Sequence, residues 1–101
     1  MKINVTQADG GTTIALTGRF DFQAHQVFRQ TIDDMLKSGK AQLTVDLSAV
    51  NFIDSSALGM LLLARESCEK VGGNVILDRP RDYVDKVLKL CHFDQLFTVQ
   101  R

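Results

Sequence analysis

Hydrophobic and polar residues alternate in the first part of the chain and change to a helical spacing further on. Ile3 and Val5 alternate with polar neighbours, as do Ile14 and Leu16, and an Asp-Gly-Gly sequence at residues 9–11 separates the two runs. Alternation with a period of two on both sides of a glycine-containing turn predicts a β-hairpin.

After the hairpin, apolar residues recur at spacings of one, three and four over residues 24–38, which predicts a first helix that ends before Gly39. The later predicted elements are a central strand at 43–47, a turn at 48–51, a second helix to about residue 71, a strand at 74–78, a third helix after Pro80 and a short strand at 96–99. This ββαβαβαβ order predicts an α/β fold with right-handed crossovers and a mixed β-sheet.

Composition indicates one compact domain over residues 1–101, because 45% hydrophobic and 24% charged residues are ordinary values for a globular protein. Twelve basic and twelve acidic residues give no net charge, so neither nucleic acid nor an anionic membrane is an expected partner. The longest apolar run is about eight residues, against roughly twenty for a membrane span, and no signal peptide is recognised. We therefore expect a cytoplasmic protein without direct membrane insertion.

The second helix has more leucine than one buried face requires. A helical projection places Arg65 and Glu66 opposite the expected core face, with Leu58 and Leu62 among the charged residues and Leu63 at the flank. The residues expected to form the core face are Ala57, Met60, Leu61, Ala64, Cys68 and Val71. Leu58 and Leu62 are then either incidental surface residues, or residues covered by another element, or part of a partner-binding patch. In the last case Arg65 and Glu66 belong to the same predicted patch.

Three polar residues, Asp54, Ser55 and Ser56, precede this helix. One of them is expected to cap the first unpaired N–H groups, and capping could be their whole role. Alternatively, one serine accepts a phosphate, which the N-terminus of a helix tolerates. That phosphate would add about 1.5 to 2 negative charges beside Leu58 and Leu62 and would control the binding of a partner.

Other chemistry has little support in the sequence. A nucleophilic serine of the GxSxG type needs flanking glycines that Ser55 and Ser56 lack, although His25 and His92 are present. Cys68 and Cys91 have neither CxxC nor metal-ligand spacing, so both are expected to be buried thiols. We predict a binding protein and not an enzyme.

Two motifs resemble those of the STAS family, which is named for sulfate transporters and anti-sigma factor antagonists. LTGRFD at residues 16–21 is similar to the family's Leu-x-Gly-x-hydrophobic-Asp, and VDLS at 45–48 together with FIDSSALG at 52–59 is similar to its central signature. The second motif is the more specific, although Ala57 stands where many antagonists have glycine. The resemblance is strongest to the stand-alone bacterial antagonists.

This resemblance implies a mixed sheet with its helices mainly on one face. It also implies that Ser56, or Ser55 as the fallback, is phosphorylated by an anti-sigma factor with serine kinase activity, with Asp21 and Asp54 as neighbours of the phosphosite. The unphosphorylated antagonist would bind that partner and release the sigma factor, and a PP2C-type phosphatase would restore it. The kinase would supply ATP and magnesium, so the chain needs no cofactor. The alternative is a constitutive STAS subunit of a membrane transporter or lipid-transport ATPase.

Overall fold

A computed structural model describes residues 2–8 and 10–101; Asp9, in the predicted hairpin turn, lies outside them. The elements are β1 (Lys2–Ala8), β2 (Gly11–Phe20), α1 (His25–Lys37), β3 (Gln42–Ile53), α2 (Ser55–Glu69), β4 (Asn74–Asp78), α3 (Asp82–Leu90) and β5 (Thr98–Gln100). Short 3₁₀ helices occupy Phe22–Ala24 and Phe93–Gln95. The predicted ββαβαβαβ order is confirmed.

The five strands form one sheet in the order β1-β2-β3-β4-β5. β1 is antiparallel to β2, and every other neighbouring pair is parallel. Since the crossovers from β2 to β5 all step in one direction, right-handed connections place the three helices on the same face of the sheet. No helix formed by the described residues covers the opposite face.

β3 is longer than predicted, because residues 48–51 continue the strand and do not form a turn. Its parallel register with β2 shifts twice, and each shift places one extra β3 residue against β2. These bulges keep Leu47, Val50 and Ile53 on the helix-covered face although they are three residues apart. The strand therefore extends to Ile53, directly before Asp54.

The core lies between the sheet and the helices, and two residues predicted to belong to it do not. Val71 follows the end of α2 and is 62% exposed. Cys68 is buried as predicted, but Cys91 is exposed because it follows the last turn of α3. Burial raises the pKa of the Cys68 thiol.

The last strand begins at Thr98 and not at residue 96, since Phe93–Gln95 form a 3₁₀ helix.

The carboxylate of Asp46, on β3, forms an ion pair with Arg79, which directly follows β4. The carboxylate accepts hydrogen bonds from the Ser48 backbone N–H at 2.9 Å and the Ser48 hydroxyl at 2.7 Å, and lies 2.9 Å from Nη2 of Arg79. Burial raises the pKa of Asp46, but these hydrogen bonds and the Arg79 charge outweigh it and hold the pKa below the ordinary value of 3.8.

Because the folded-state pKa of Asp46 is lowered, the ionised group stabilises the fold above its unfolded pKa, and this contribution is lost as the pH falls through the folded pKa. Asp46→Asn should therefore reduce the free energy of unfolding at neutral pH and change it much less in strong acid. Urea unfolding across this range measures the effect. An equal loss at every pH would show that the charge of Asp46 contributes nothing.

Among the described residues, no helix combines the length and the apolar character that a membrane crossing requires.

Candidate functional site

The start of α2 separates the roles of the three polar residues in the central motif. Asp54 is the N-cap: its backbone is extended, and its carboxylate accepts a hydrogen bond from the Ala57 N–H at 2.8 Å. The hydroxyls of Ser55 and Ser56 form no hydrogen bond to any residue in ranges 2–8 and 10–101. Ser55 is exposed and Ser56 half-buried. The predicted capping is therefore carried out by Asp54 alone.

Removal of this cap gives a direct test. Asp54→Ala should lower the free energy of unfolding by about 1 kcal/mol, the usual cost of losing an N-cap side chain. Ser55→Ala is the matched control, because its hydroxyl caps nothing, and should have a much smaller effect. Urea unfolding of the two variants measures the difference, and equal losses would contradict the assignment of the cap.

Asp21 directly follows β2 and lies at the same end of the sheet as the start of α2. Phe20 pairs with Ile53 in the parallel register, and the Asp54 N–H donates to the Phe20 carbonyl at 3.3 Å. Asp21 and Asp54 therefore follow directly after paired residues of neighbouring strands. The Asp21 carboxylate accepts a hydrogen bond from the Gln23 N–H at 3.1 Å. Two carboxylates thus lie at the strand ends beside the two serines.

The sequence did not predict that Arg19, Phe52 and Tyr83 form a stack of side chains at this end of the sheet. The Arg19 guanidinium lies 3.9 Å from the centroid of the Phe52 ring, and its Nε is 3.7 Å from the Asp21 carboxylate. Phe52 in turn stacks on Tyr83, with ring centroids 5.9 Å apart and an interplanar angle of 9°. Arg19 and Phe52 are paired across β2 and β3, so only the strand register brings these distant residues together.

The exposure of the leucine side chains on α2 differs in part from the prediction. Leu62 is 38% exposed, as expected, but Leu58 is half-buried and packs against the core. Leu58 is one turn before fully buried Leu61, which lies on the same side of the helix. The more exposed leucine is Leu63, at 57%. The exposed apolar pair is therefore Leu62 and Leu63.

The two charged residues predicted for partner binding occupy different environments. Arg65 is half-buried and bound within the chain, since its Nε donates to the Leu96 carbonyl at 2.6 Å and its Nη2 lies 3.4 Å from the Glu69 carboxylate. Glu66 is exposed. Glu66 is thus open to a partner, whereas Arg65 joins α2 to the segment before β5.

Helical geometry places the accessible residues in one stripe. Positions three and four apart lie on the same side of a helix, so the side of α2 that begins at Ser56 continues through Gly59, Leu62, Leu63 and Glu66. We call these five residues the α2 stripe. Nowhere in the described part of the chain are three His, Cys, Asp or Glu side chains grouped as metal ligands would be.

The chain matches a known family of protein domains. A family model described as "Mlab, STAS domain" matches residues 3–99. The chain therefore belongs to the STAS-domain family. The family predicted from the two sequence motifs is thereby confirmed.

Relatives narrow the class further. A STAS-domain containing protein of Pseudomonas aeruginosa is 40% identical over 93 residues, which are 91% of each chain. A Thermotoga neapolitana protein named as an anti-sigma factor antagonist is 30% identical over 76 residues, covering 75% of this chain and 67% of that protein. The chain is accordingly related to the anti-sigma factor antagonists within the STAS family.

Solved structures confirm the predicted fold. The crystal structure of a Thermotoga maritima anti-sigma factor antagonist matches with a TM-score of 0.90 and 23% identity, over 98% of this chain and 86% of that one. Bacillus SpoIIAA in its phosphorylated form matches with a TM-score of 0.79 and 22% identity, over 99% of this chain and 92% of that one. At these identities, the likeness establishes the fold.

Proposed function

We propose that this protein is an anti-sigma factor antagonist controlled by phosphorylation of Ser56. The unphosphorylated form binds an anti-sigma factor that is also a serine kinase, and the sigma factor is released. The phosphorylated form no longer binds, and a PP2C-type phosphatase restores it. The observation that carries the proposal is that Asp54 alone caps α2, which leaves the Ser56 hydroxyl without an intramolecular partner among the described residues.

The choice of Ser56 over Ser55 rests on the position of the second serine in the family motif. Both hydroxyls lie in the first turn of α2, where backbone N–H groups and the helix dipole favour an anion by roughly 0.3 to 2 kcal/mol. A phosphate is therefore compatible with the fold. Bacillus SpoIIAA is a precedent for phosphorylation of this fold, because its structure is known in the phosphorylated form.

The charges around Ser56 explain how a phosphate would prevent binding. Asp21 and Asp54 already place two carboxylates at this end of the sheet, where β2 and β3 end. A phosphate adds about 1.5 to 2 further negative charges at one end of the α2 stripe. A partner that covers Leu62 and Leu63 would have to remove water from that charge or supply cations to match it. The modification thus weakens binding without refolding the domain.

Gly59 supports the view that a partner approaches the α2 stripe closely. A glycine inside a helix costs about 1 kcal/mol relative to alanine, and the fold does not require one at this position. A Cβ added at Gly59 would meet no atom within 4 Å, and the backbone there is helical. The missing side chain leaves a flat area one turn after Ser56, which suits contact with a partner's backbone.

This interpretation of Gly59 predicts opposite effects on stability and on binding. Gly59→Ala should raise the free energy of unfolding by about 0.5 to 1 kcal/mol and should weaken binding to the kinase-type anti-sigma factor. Thermal unfolding and calorimetric titration measure the two effects. Gln26→Ala, an exposed position on α1, is the control and should leave affinity unchanged. If Gly59→Ala bound as tightly as wild type, close approach at this position would be excluded.

Phosphorylation itself is tested on the protein recovered from its own host. Intact mass and peptide mapping should show one phosphate on Ser56, which is absent from Ser56→Ala and retained in Ser55→Ala. The reverse pattern would move the acceptor to Ser55. No phosphate during growth, starvation or stress, together with stable co-purification with a membrane transporter or lipid-transport ATPase, would favour the constitutive subunit.

A further inference from the structure

β1 is a long edge strand with one side unpaired. It runs for seven residues, Lys2–Ala8, and within residues 2–8 and 10–101 it pairs only with β2, since it is the first strand in the sheet order. Alternate residues of an edge strand direct their N–H and C=O groups away from the sheet. The other edge, β5, is only three residues long. Of the two edges, β1 is therefore the better template for another strand.

The devices that normally prevent pairing between edge strands are missing from the described residues of β1. Its register with β2 runs without a bulge from Lys2 opposite Thr17 to Ala8 opposite Gly11. The strand contains no proline, and its one charged residue, Lys2, is at the beginning. Proteins that keep an edge strand unpaired usually use such features to protect it.

One side of this edge is apolar. Ile3 and Val5 point to the helix-covered face, where Ile3 packs against the core and Val5 remains 46% exposed. Val27 on α1 is 55% exposed and lines the same surface depression as Ile3. The edge thus offers an apolar strip of Ile3, Val5 and Val27 beside its unpaired backbone.

We propose that two copies of this chain associate through β1, with the two strands antiparallel and related by a two-fold axis at Asn4. In this register Ile3 lies opposite Val5 of the second copy and Val5 opposite Ile3, so two pairs of β-branched side chains meet on the helix-covered face. Lys2 lies opposite Thr6 of the second copy, and no like charges meet. The strand is therefore complementary to itself in shape and in charge.

The proposed dimer leaves the α2 stripe of each copy accessible to a partner. A two-fold axis perpendicular to the sheet produces one continuous ten-stranded sheet with all the helices on one face. It also reverses the direction of β2 and β3 between the copies, so the two α2 N-termini lie at opposite ends of the dimer. Both stripes stay accessible, and the dimer can bind two partners. The proposed dimer does not depend on the proposed phosphorylation of Ser56.

Sedimentation equilibrium over a wide range of protein concentration tests the association. Wild type should show a reversible monomer–dimer equilibrium, and Val5→Lys should be monomeric with an unchanged circular dichroism spectrum. Val71→Lys is the matched control and should dimerise like wild type, because Val71 is also exposed but lies between α2 and β4, and β2 and β3 separate β4 from β1. A wild type that stays monomeric, or a dimer that Val5→Lys leaves intact, would overturn the proposal.

A disulfide trap tests the register separately. In the Cys91→Ser background, Asn4→Cys would place two thiols opposite each other, with Cα atoms about 4.5 to 5.5 Å apart, within the range for a disulfide. Mild oxidation should then give a covalent dimer. Thr6→Cys in the same background is the control, because the two copies of residue 6 would be roughly 13 Å apart. Equal crosslinking of the two variants, or none of Asn4→Cys, would contradict this pairing.

Discussion

Ser56→Glu is expected to weaken binding to the anti-sigma factor about a hundredfold. The substitution places a permanent negative charge at the end of the α2 stripe, beside the carboxylates of Asp21 and Asp54. A partner must desolvate this charge in order to reach Leu62 and Leu63. A cost of roughly 3 kcal/mol corresponds to that loss, at about 1.4 kcal/mol for each tenfold change in affinity. Titration calorimetry with the purified kinase-type anti-sigma factor, in the absence of ATP, measures it.

Controls separate an effect of charge from an effect of shape. Ser56→Ala should bind nearly as well as wild type, since the hydroxyl makes no intramolecular hydrogen bond in the described structure, and it should resist inactivation by the kinase and ATP. Ser56→Glu should keep the wild-type stability, because an anion at this helix N-terminus is tolerated. If Ser56→Glu bound with wild-type affinity while Ser55→Glu did not, Ser55 would be the controlling position.

Sequence alone predicted the main parts of the candidate site because those parts are local. The Asp-Ser-Ser triplet directly precedes an amphipathic run, so a helix start with one capping residue follows from short-range rules. Which of the three residues is the cap could not be predicted, since all three side chains can accept a hydrogen bond. The structure resolves this choice through the bond from the Ala57 N–H to Asp54.

Features that depend on strand register could not be predicted in the same way. The stack of Arg19, Phe52 and Tyr83 combines residues from β2, β3 and α3, and no periodicity connects them. The bulges in β3 had a related effect, because they change the spacing of buried residues from two to three and thus imitate a turn at 48–51. The same bulges bring β3 to Ile53 and place Asp54 beside Phe20.

Surface exposure on α2 was the least predictable property. A helical projection assigns residues to a direction but does not fix how far the buried stripe extends on either side. Leu58 was therefore expected to be exposed and is half-buried, whereas Leu63, predicted at the flank, is the more exposed leucine. For partner binding, the residues to test beside Ser56 are consequently Leu62, Leu63 and Glu66.

Gly73→Ala is expected to reduce stability strongly, by about 3 kcal/mol or more. A Cβ at this position would overlap with the carbonyl oxygen and the Cβ of Ala41, where the chain enters β3 and β4. The Gly73 N–H also donates to the Cys68 carbonyl at 2.8 Å, and the Asn74 N–H donates to the Ala41 carbonyl at 3.2 Å. The clash is between backbone segments, so rotation of a side chain cannot relieve it.

Urea unfolding of Gly73→Ala and Gly59→Ala compares the same chemical change at two glycines with different surroundings. Gly73→Ala should destabilise the fold and leave the affinity of the remaining folded molecules unchanged, because Gly73 precedes β4 at the end of the sheet opposite to Ser56. Gly59→Ala should stabilise the fold and weaken binding, because its environment is open within the chain. Parallel effects of the two variants on stability and affinity would contradict the distinction between a glycine required by packing and a glycine required by a partner.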